Sequence, residues 1–147
     1  MLIEAAGACW PLVTVDTGQH YDYELNAVFY EQLGVPRPHH FLEVGSGRHA
    51  AQTAAVLTRA AEVFEGAKPW AVVVIGDTNS TLGCALAATQ MRIPVVHVEA
   101  GLRSNDRAMA EEINRRVVDA IGDLLCAPSR AAADELGREH QPGMIAL

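Results

Sequence analysis

The chain has 147 residues, about one domain's worth, and half of them are hydrophobic, so it can bury a substantial core. Its 18 acidic against 11 basic residues leave a net charge of −7, which argues against a nucleic-acid partner, whose binding depends on neutralised phosphates. Three scattered cysteines with no CxxC pair exclude a disulfide framework and a zinc ribbon and fit a reducing cytoplasm, the longest strongly apolar run (residues 70–75) cannot cross a membrane, and residues 1–20 lack a signal-peptide pattern.

Residues 1–10 show no clean period. Residues 12–15 (LVTV) read as a strand ending at Asp16-Thr17-Gly18. Residues 22–33 read as a helix, with Leu25, Phe29 and Leu33 on one face and Gly34 as its stop. Residues 41–44 form a short strand candidate. Residues 49–66 carry a helical stripe of Val56, Leu57, Ala60, Val63 and Phe64, closed by Gly66 and Pro69. Residues 70–75 are apolar throughout, which suits a parallel strand covered on both faces. A turn rich in N-cap residues, Gly76-Asp77-Thr78-Asn79-Ser80, opens a helix to about Gln90. Residues 94–98 are the next buried strand, and 99–107 a polar loop. Residues 109–121 follow as a helix with Met109, Ile113, Val117, Ala120 and Ile121 on one face. A strand at 124–127 and a helix at 129–139 come last, and a further strand is due where the sequence reaches Leu147.

Alternating strands and helices at this spacing predict one α/β domain over residues 1–147, a parallel sheet with helices on both faces. Ligands of such sheets bind beyond the carboxyl ends of the strands. That rule points to residues 16–20, 45–49, 76–80 and 99–107.

Four constellations stand there. Gly45-Ser46-Gly47-Arg48-His49-Ala50 fits the dinucleotide pattern GxGxxA, but the acid at the end of the following strand, Asp77, is too far on to bind the ribose. A plain turn that opens a helix is the competing reading. Asp77 itself sits at the mouth of a buried strand, where it either caps the helix or faces a ligand. Glu99 ends the adjacent strand and can lie near Asp77, and two neighbouring carboxylates invite acid–base chemistry. His97, two residues back, shares the face of Glu99 by strand alternation, and it can equally be a satisfied core residue. In Glu111-Glu112-Ile113-Asn114-Arg115-Arg116, the spacing allows two solvated pairs, Glu111 with Arg115 and Glu112 with Arg116. Yet this helix starts on the ligand side of the sheet.

Taken in order and at their spacing, TGQHYDYELN (17–26), GDTNSTLGCALAA (76–88), HVEAGLRS (97–104) and EEINRR (111–116) resemble the non-hydrolysing UDP-N-acetylglucosamine 2-epimerases. The resemblance covers most of residues 12–139. It implies the first Rossmann-like half of a GT-B type fold, whose active site lies in the cleft with a second such domain. The activity implied is inversion at C2 of UDP-GlcNAc to UDP-N-acetylmannosamine, by elimination and re-addition of UDP, with no metal and no cofactor. Asp77, Glu99 and Glu111 match the family's catalytic carboxylates. Gln19 and His20 match residues that touch a second, regulatory UDP-GlcNAc. Arg103 and Arg115 lie inside matched segments and are expected to contact the UDP-sugar. A homodimer or a complementing polypeptide is the implied partner, and cell-surface polysaccharide synthesis the implied use.

The sequence also departs from that pattern. No GTRPE-like turn stands before Leu12, and Ala110 replaces the proline that usually precedes the glutamate pair. The second domain's catalytic histidine and UDP-binding groups have no counterpart. The chain is therefore expected to be a fragment, a split-gene half or a decayed copy. A non-catalytic partner or UDP-sugar-binding remnant is the alternative, and a dinucleotide-binding module the third reading.

Overall fold

The computed structural model describes residues 2–18 and 36–147. The helix expected at 22–33, and the candidates Gln19 and His20, lie outside the described residues. The chain divides into two compact units, Met1–Ser46 and Gly47–Leu147.

The first unit contains helix α1 (Leu2–Cys9) and strands β1 (Val15–Asp16) and β2 (His40–Phe41). The helix was not legible as a period, but its leucine and alanines favour helix and Glu4 sits in its first turn, where the helix dipole favours an acid. The strands are parallel, Val15 opposite His40 and Asp16 opposite Phe41. Both are shorter than the apolar runs suggested. Asp16 Oδ1 accepts from the Gly18 amide at 2.7 Å, an Asx turn that bends the chain away after β1. Glu43 takes a φ of 51°, which ends the extended backbone after Leu42.

The second unit opens with α2 (His49–Ala67) and continues β3 (Val72–Ile75), α3 (Asn79–Gln90), β4 (Val95–Val98), α4 (Ala110–Ile121), β5 (Leu124–Cys126), α5 (Arg130–Arg138) and β6 (Met144–Ala146). The last strand is the one due at the end of the sequence. Its four strands form one parallel sheet in the order β3-β4-β5-β6. Val74, His97, Leu125 and Ile145 stand in one row across it.

Right-handed crossovers that all step in one direction place their helices on one side of a sheet. Here α4 reaches His97 and α5 reaches Leu125 on the side that buries Val72, Val74 and Val95. The apolar run of β3 predicted cover on both faces. Instead Val73 and Ile75, on the other face, are 50% and 52% exposed.

Helix α2 is stopped by Lys68 in the left-handed region at φ 48°, one residue past Ala67, rather than by Gly66. It lies closely against α3 because Gly83 has no side chain. A Cβ there would stand 2.7 Å from Cβ of Val56, which no real contact tolerates.

Helix α4 turns the opposite way from its apolar stripe. Met109 and Ile113 are 42% and 46% exposed, while Glu112, Asn114, Val118 and Asp119 are buried. Periodicity assumes that polar side chains face water, and buried polar groups with partners break that assumption. The partners are described below.

Candidate active site

The carboxyl ends of β3 and β4 and the start of α4 each deliver one of the three expected carboxylates. After β3 the helix cap is Thr78, whose Oγ1 accepts from the Thr81 amide at 3.3 Å. Asp77 is therefore not the cap. Its Oδ2 lies 2.5 Å from Nη2 of Arg115, in a pair of which the arginine side chain is 12% exposed. This pair replaces the expected Glu111–Arg115 contact, because the turn after β3 brings Asp77 to the arginine.

Glu99 follows β4 with a φ of 67°, so strand alternation ends at Val98. His97 points into the core and Glu99 into solvent, contrary to the shared face expected of them. Oε2 of Glu99 lies 3.6 Å from where a Cβ on Gly76 would stand, and Gly76 itself holds a φ of 71°. Glu99 thus sits over the turn that carries Asp77. Glu111 is exposed in the first turn of α4, where the helix dipole favours an acid. Among the described residues neither Glu99 nor Glu111 has an ion-pair or hydrogen-bond partner.

A buried amide bridge ties these pieces together. Asn114 Nδ2 donates to the Asp77 carbonyl at 2.9 Å and to Oδ1 of Asn79 at 3.2 Å. Asn79 Nδ2 donates to Oε1 of Gln52 at 2.6 Å. Helices α2, α3 and α4 are so joined beneath Asp77. Beside the bridge lies a recess of about 390 Å³, walled by His49, Thr53, Leu82 and Ile113 with both asparagines.

The dinucleotide pattern is not built. β2 ends at Phe41, well before Gly45. The strand running directly into the glycine turn that such a site needs is therefore missing among the described residues.

A family model described as UDP-N-acetylglucosamine 2-epimerase matches residues 8–145. The chain belongs to this family. The UDP-N-acetylglucosamine 2-epimerase of Methanocaldococcus jannaschii is 44% identical over 137 residues, 93% of this chain and 37% of that one. The UDP-2,3-diacetamido-2,3-dideoxy-D-glucuronate 2-epimerase of Pseudomonas aeruginosa is 45% identical over 127 residues, 86% of this chain and 36% of that one. The crystal structure of the M. jannaschii enzyme with UDP-GlcNAc and UDP superposes with a TM-score of 0.89 at 42% identity, covering 99% of this chain and 40% of that chain. The Rickettsia bellii UDP-N-acetylglucosamine 2-epimerase gives 0.82 at 40% identity, over 90% and 36%. The chain thus spans somewhat more than a third of the length of these relatives.

In this member of the epimerase family, Arg103 does not reach toward the site. Its side chain is 3% exposed and lies 2.7 Å from Oδ2 of Asp119 and 2.6 Å from Oε2 of Glu139. Burial opposes its charge, but hydrogen bonds to Glu139 and Asp119 outweigh that and strengthen its hold on the proton. Its expected contact with the UDP-sugar therefore has no support in the geometry. Arg116 joins the same set, 2.7 Å from Glu139 and 2.7 Å from Glu112. The expected Glu112–Arg116 pair forms, yet not as a solvated one. Glu112 is 1% exposed and also accepts from the Ser104 amide at 2.8 Å. No motif or period pointed to Glu139, which lies far from Arg103 along the chain, or to the buried Asp119. Asn79 and Asn114 stood inside recognised segments, but nothing marked them as buried bridges.

These pairs make stability depend on acid. Hydrogen bonds from Arg103 hold the Glu139 carboxyl down to about 2, from an ordinary value of 4.5. Glu112 is also lowered, since burial, which would raise it, is outweighed by hydrogen bonds from Ser104 and Arg116. A depressed carboxylate stabilises the fold above its unfolded value and loses that contribution as pH falls toward its folded value. The melting temperature should fall steadily as pH drops from about 4.5 toward 2, the window set by Glu139. Thermal unfolding followed by circular dichroism checks this, and Glu139→Gln should flatten the profile over that window.

Proposed function

We propose that this chain carries the carboxylate half of a UDP-N-acetylglucosamine 2-epimerase site, which interconverts UDP-GlcNAc and UDP-N-acetylmannosamine once a second Rossmann-like domain closes over it. On this reading, residues 1–147 form one Rossmann-like domain. The observation that carries it is the delivery of Asp77, Glu99 and Glu111 by the ends of two neighbouring parallel strands and the start of the next helix. That is where such sheets hold their ligands.

The chemistry explains why carboxylates are needed. The C2 proton of the sugar is not acidic, so it leaves only as the C1–O bond to UDP breaks. A carboxylate takes the proton, the C–H electron pair becomes the C1–C2 double bond, and UDP departs with the C–O pair. Protonation of C2 from the opposite face and return of a UDP oxygen to C1 complete the inversion. Each transfer needs a positioned acid or base. Glu99 and Glu111, exposed and unpartnered among the described residues, suit the proton transfers. Asp77 is paired with Arg115. Arg115, paired with Asp77 at the strand ends, is a proposed contact of the substrate. Arg103 and Arg116 are consumed inside the fold, so the cations for the departing UDP come from the second domain. Gln19 and His20 are proposed contacts of a regulatory UDP-sugar.

The P. aeruginosa relative acts, by its name, on a UDP-diacetamido-glucuronate. Both substrates present a UDP-linked sugar to be inverted at C2, and UDP-GlcNAc is the one proposed here. The working form is a cytoplasmic homodimer or a complex with a complementing polypeptide, and its product feeds cell-surface polysaccharide synthesis. The chain alone should show no useful turnover, because transition-state stabilisation of UDP needs cations it does not offer. Joined to the C-terminal remainder of the M. jannaschii relative, it should convert UDP-GlcNAc to an equilibrium mixture, read by NMR. Turnover by the chain alone at the rate of full-length relatives contradicts this reading, and a folded but inert chimaera favours a non-catalytic partner.

A further inference from the structure

We propose that His97 is a buried imidazolium that clamps the Gly76 carbonyl and so positions Asp77. The ring is completely buried in the centre of the sheet. Its Nε2 lies 2.8 Å from the Gly76 carbonyl oxygen, and a carbonyl only accepts, so Nε2 carries a proton. Its Nδ1 lies 2.7 Å from Oδ1 of Asp119. A neutral ring would then need a protonated Asp119 to donate to Nδ1.

The surroundings of Asp119 oppose that. Its Oδ2 is 2.7 Å from the Arg103 guanidinium and accepts from the Gly101 amide at 3.2 Å, both of which favour the carboxylate. Charge balance agrees. The connected set holds the guanidiniums of Arg103 and Arg116 against the carboxylates of Asp119, Glu139 and Glu112, one negative charge in excess. A second proton on His97 makes the set neutral, which is favoured where Asp119 and Glu112 are wholly buried. The other charged groups around the ring are on its far side. Asp77, on the turn that His97 holds, is paired with Arg115, and Glu99 lies above Gly76 facing solvent.

The consequence lies one residue on. Gly76 holds its left-handed backbone between β3 and Asp77, and its amide donates to the Val98 carbonyl at 3.0 Å. With the His97 bond, both the amide and the carbonyl of this residue are fixed to β4. The direction in which Asp77 leaves the sheet is set by that double tie. His97 is thus a positioning residue that acts through Gly76. Its role in catalysis rests on the reading of Asp77 given above, but the clamp does not.

The test is nitrogen-15 NMR of the full chain at about pH 7.5, which needs no turnover and so stands apart from the epimerase reading. Both ring nitrogens of His97 should resonate as protonated, and a through-hydrogen-bond coupling should link Nε2 to the Gly76 carbonyl. In Asp119→Asn, whose amide can donate to Nδ1, that nitrogen should move to the unprotonated range while the Nε2 coupling persists. In His97→Leu, the Asp77 amide and the Arg115 guanidinium signals should shift and the guanidinium protons exchange faster. An unprotonated Nδ1 in the unaltered chain, or a folded His97→Leu with Asp77 and Arg115 signals unmoved, overturns the proposal. If neither variant folds, the spectrum of the unaltered chain decides, since it reports both the charge and the clamp.

Discussion

Asp77→Asn, Glu99→Gln and Glu111→Gln, each placed in the chimaera with the remainder of a full-length relative, should lower turnover by roughly 10²–10⁴-fold. Their effects on folding should be small. Glu99 and Glu111 are exposed and contact no cation among the described residues, so their amides should change stability by no more than about 0.5 kcal/mol. Asp77→Asn weakens the pair with Arg115 and should cost somewhat more, on the order of 1 kcal/mol. Glu112 is the contrast within the same charged run. It is buried against Ser104 and Arg116, so Glu112→Gln should destabilise by about 1–3 kcal/mol yet leave the rate per folded molecule nearly intact. Turnover normalised to the folded fraction separates the two classes. If folded Glu112→Gln loses as much rate as Glu111→Gln, the wrong face of α4 has been assigned to the site.

The largest effect on stability should come from Arg103→Met. The guanidinium lies between Asp119 and Glu139, and its removal leaves both carboxylates short of their cation in a largely buried setting. Breaking such a pair from one side costs about 3–5 kcal/mol, a large share of what holds a domain of this size together. Urea unfolding of the chain measures it. A loss below about 1 kcal/mol would mean that Arg103 is free of these partners. Its guanidinium could then serve the UDP-sugar, as the sequence first suggested.

Most strands and helices were legible because their apolar residues report burial against a sheet. The strands at 72–75, 95–98 and 124–126 and the helices between them lie within a few residues of their predicted limits. Legibility failed where polar groups are buried in pairs. On α4, Asp119 and Glu112 face the core because His97, Arg103, Arg116 and Ser104 wait for them there, and hydrophobic periodicity registers none of this. It failed again at Glu99, where one residue with positive φ breaks strand alternation and separates it from His97. Asp77 and Glu99 were singled out by where the strands end, a rule of topology that needs no side-chain detail, and Glu111 by the start of the helix that follows and by the family resemblance. The ion pairs were not legible, since Asp77–Arg115 and Arg103–Glu139 join residues far apart in sequence. For the same reason, β3 gave no hint that Val73 and Ile75 are left half exposed, because exposure follows from which way the crossovers step.

The central claim is that carboxylates on this sheet remove and return the C2 proton while UDP leaves C1. The direct measurement is conversion of UDP-GlcNAc by the chimaera in deuterated buffer, with the product examined by NMR and mass spectrometry. Every molecule of UDP-N-acetylmannosamine formed should carry deuterium at C2. Bridging and non-bridging oxygens of the β-phosphate should scramble at a comparable rate, since the C1–O bond opens in each turnover. Product that retains its original hydrogen at C2, with no scrambling, would contradict the account, for the hydrogen would then have moved without exchange and UDP would never have left.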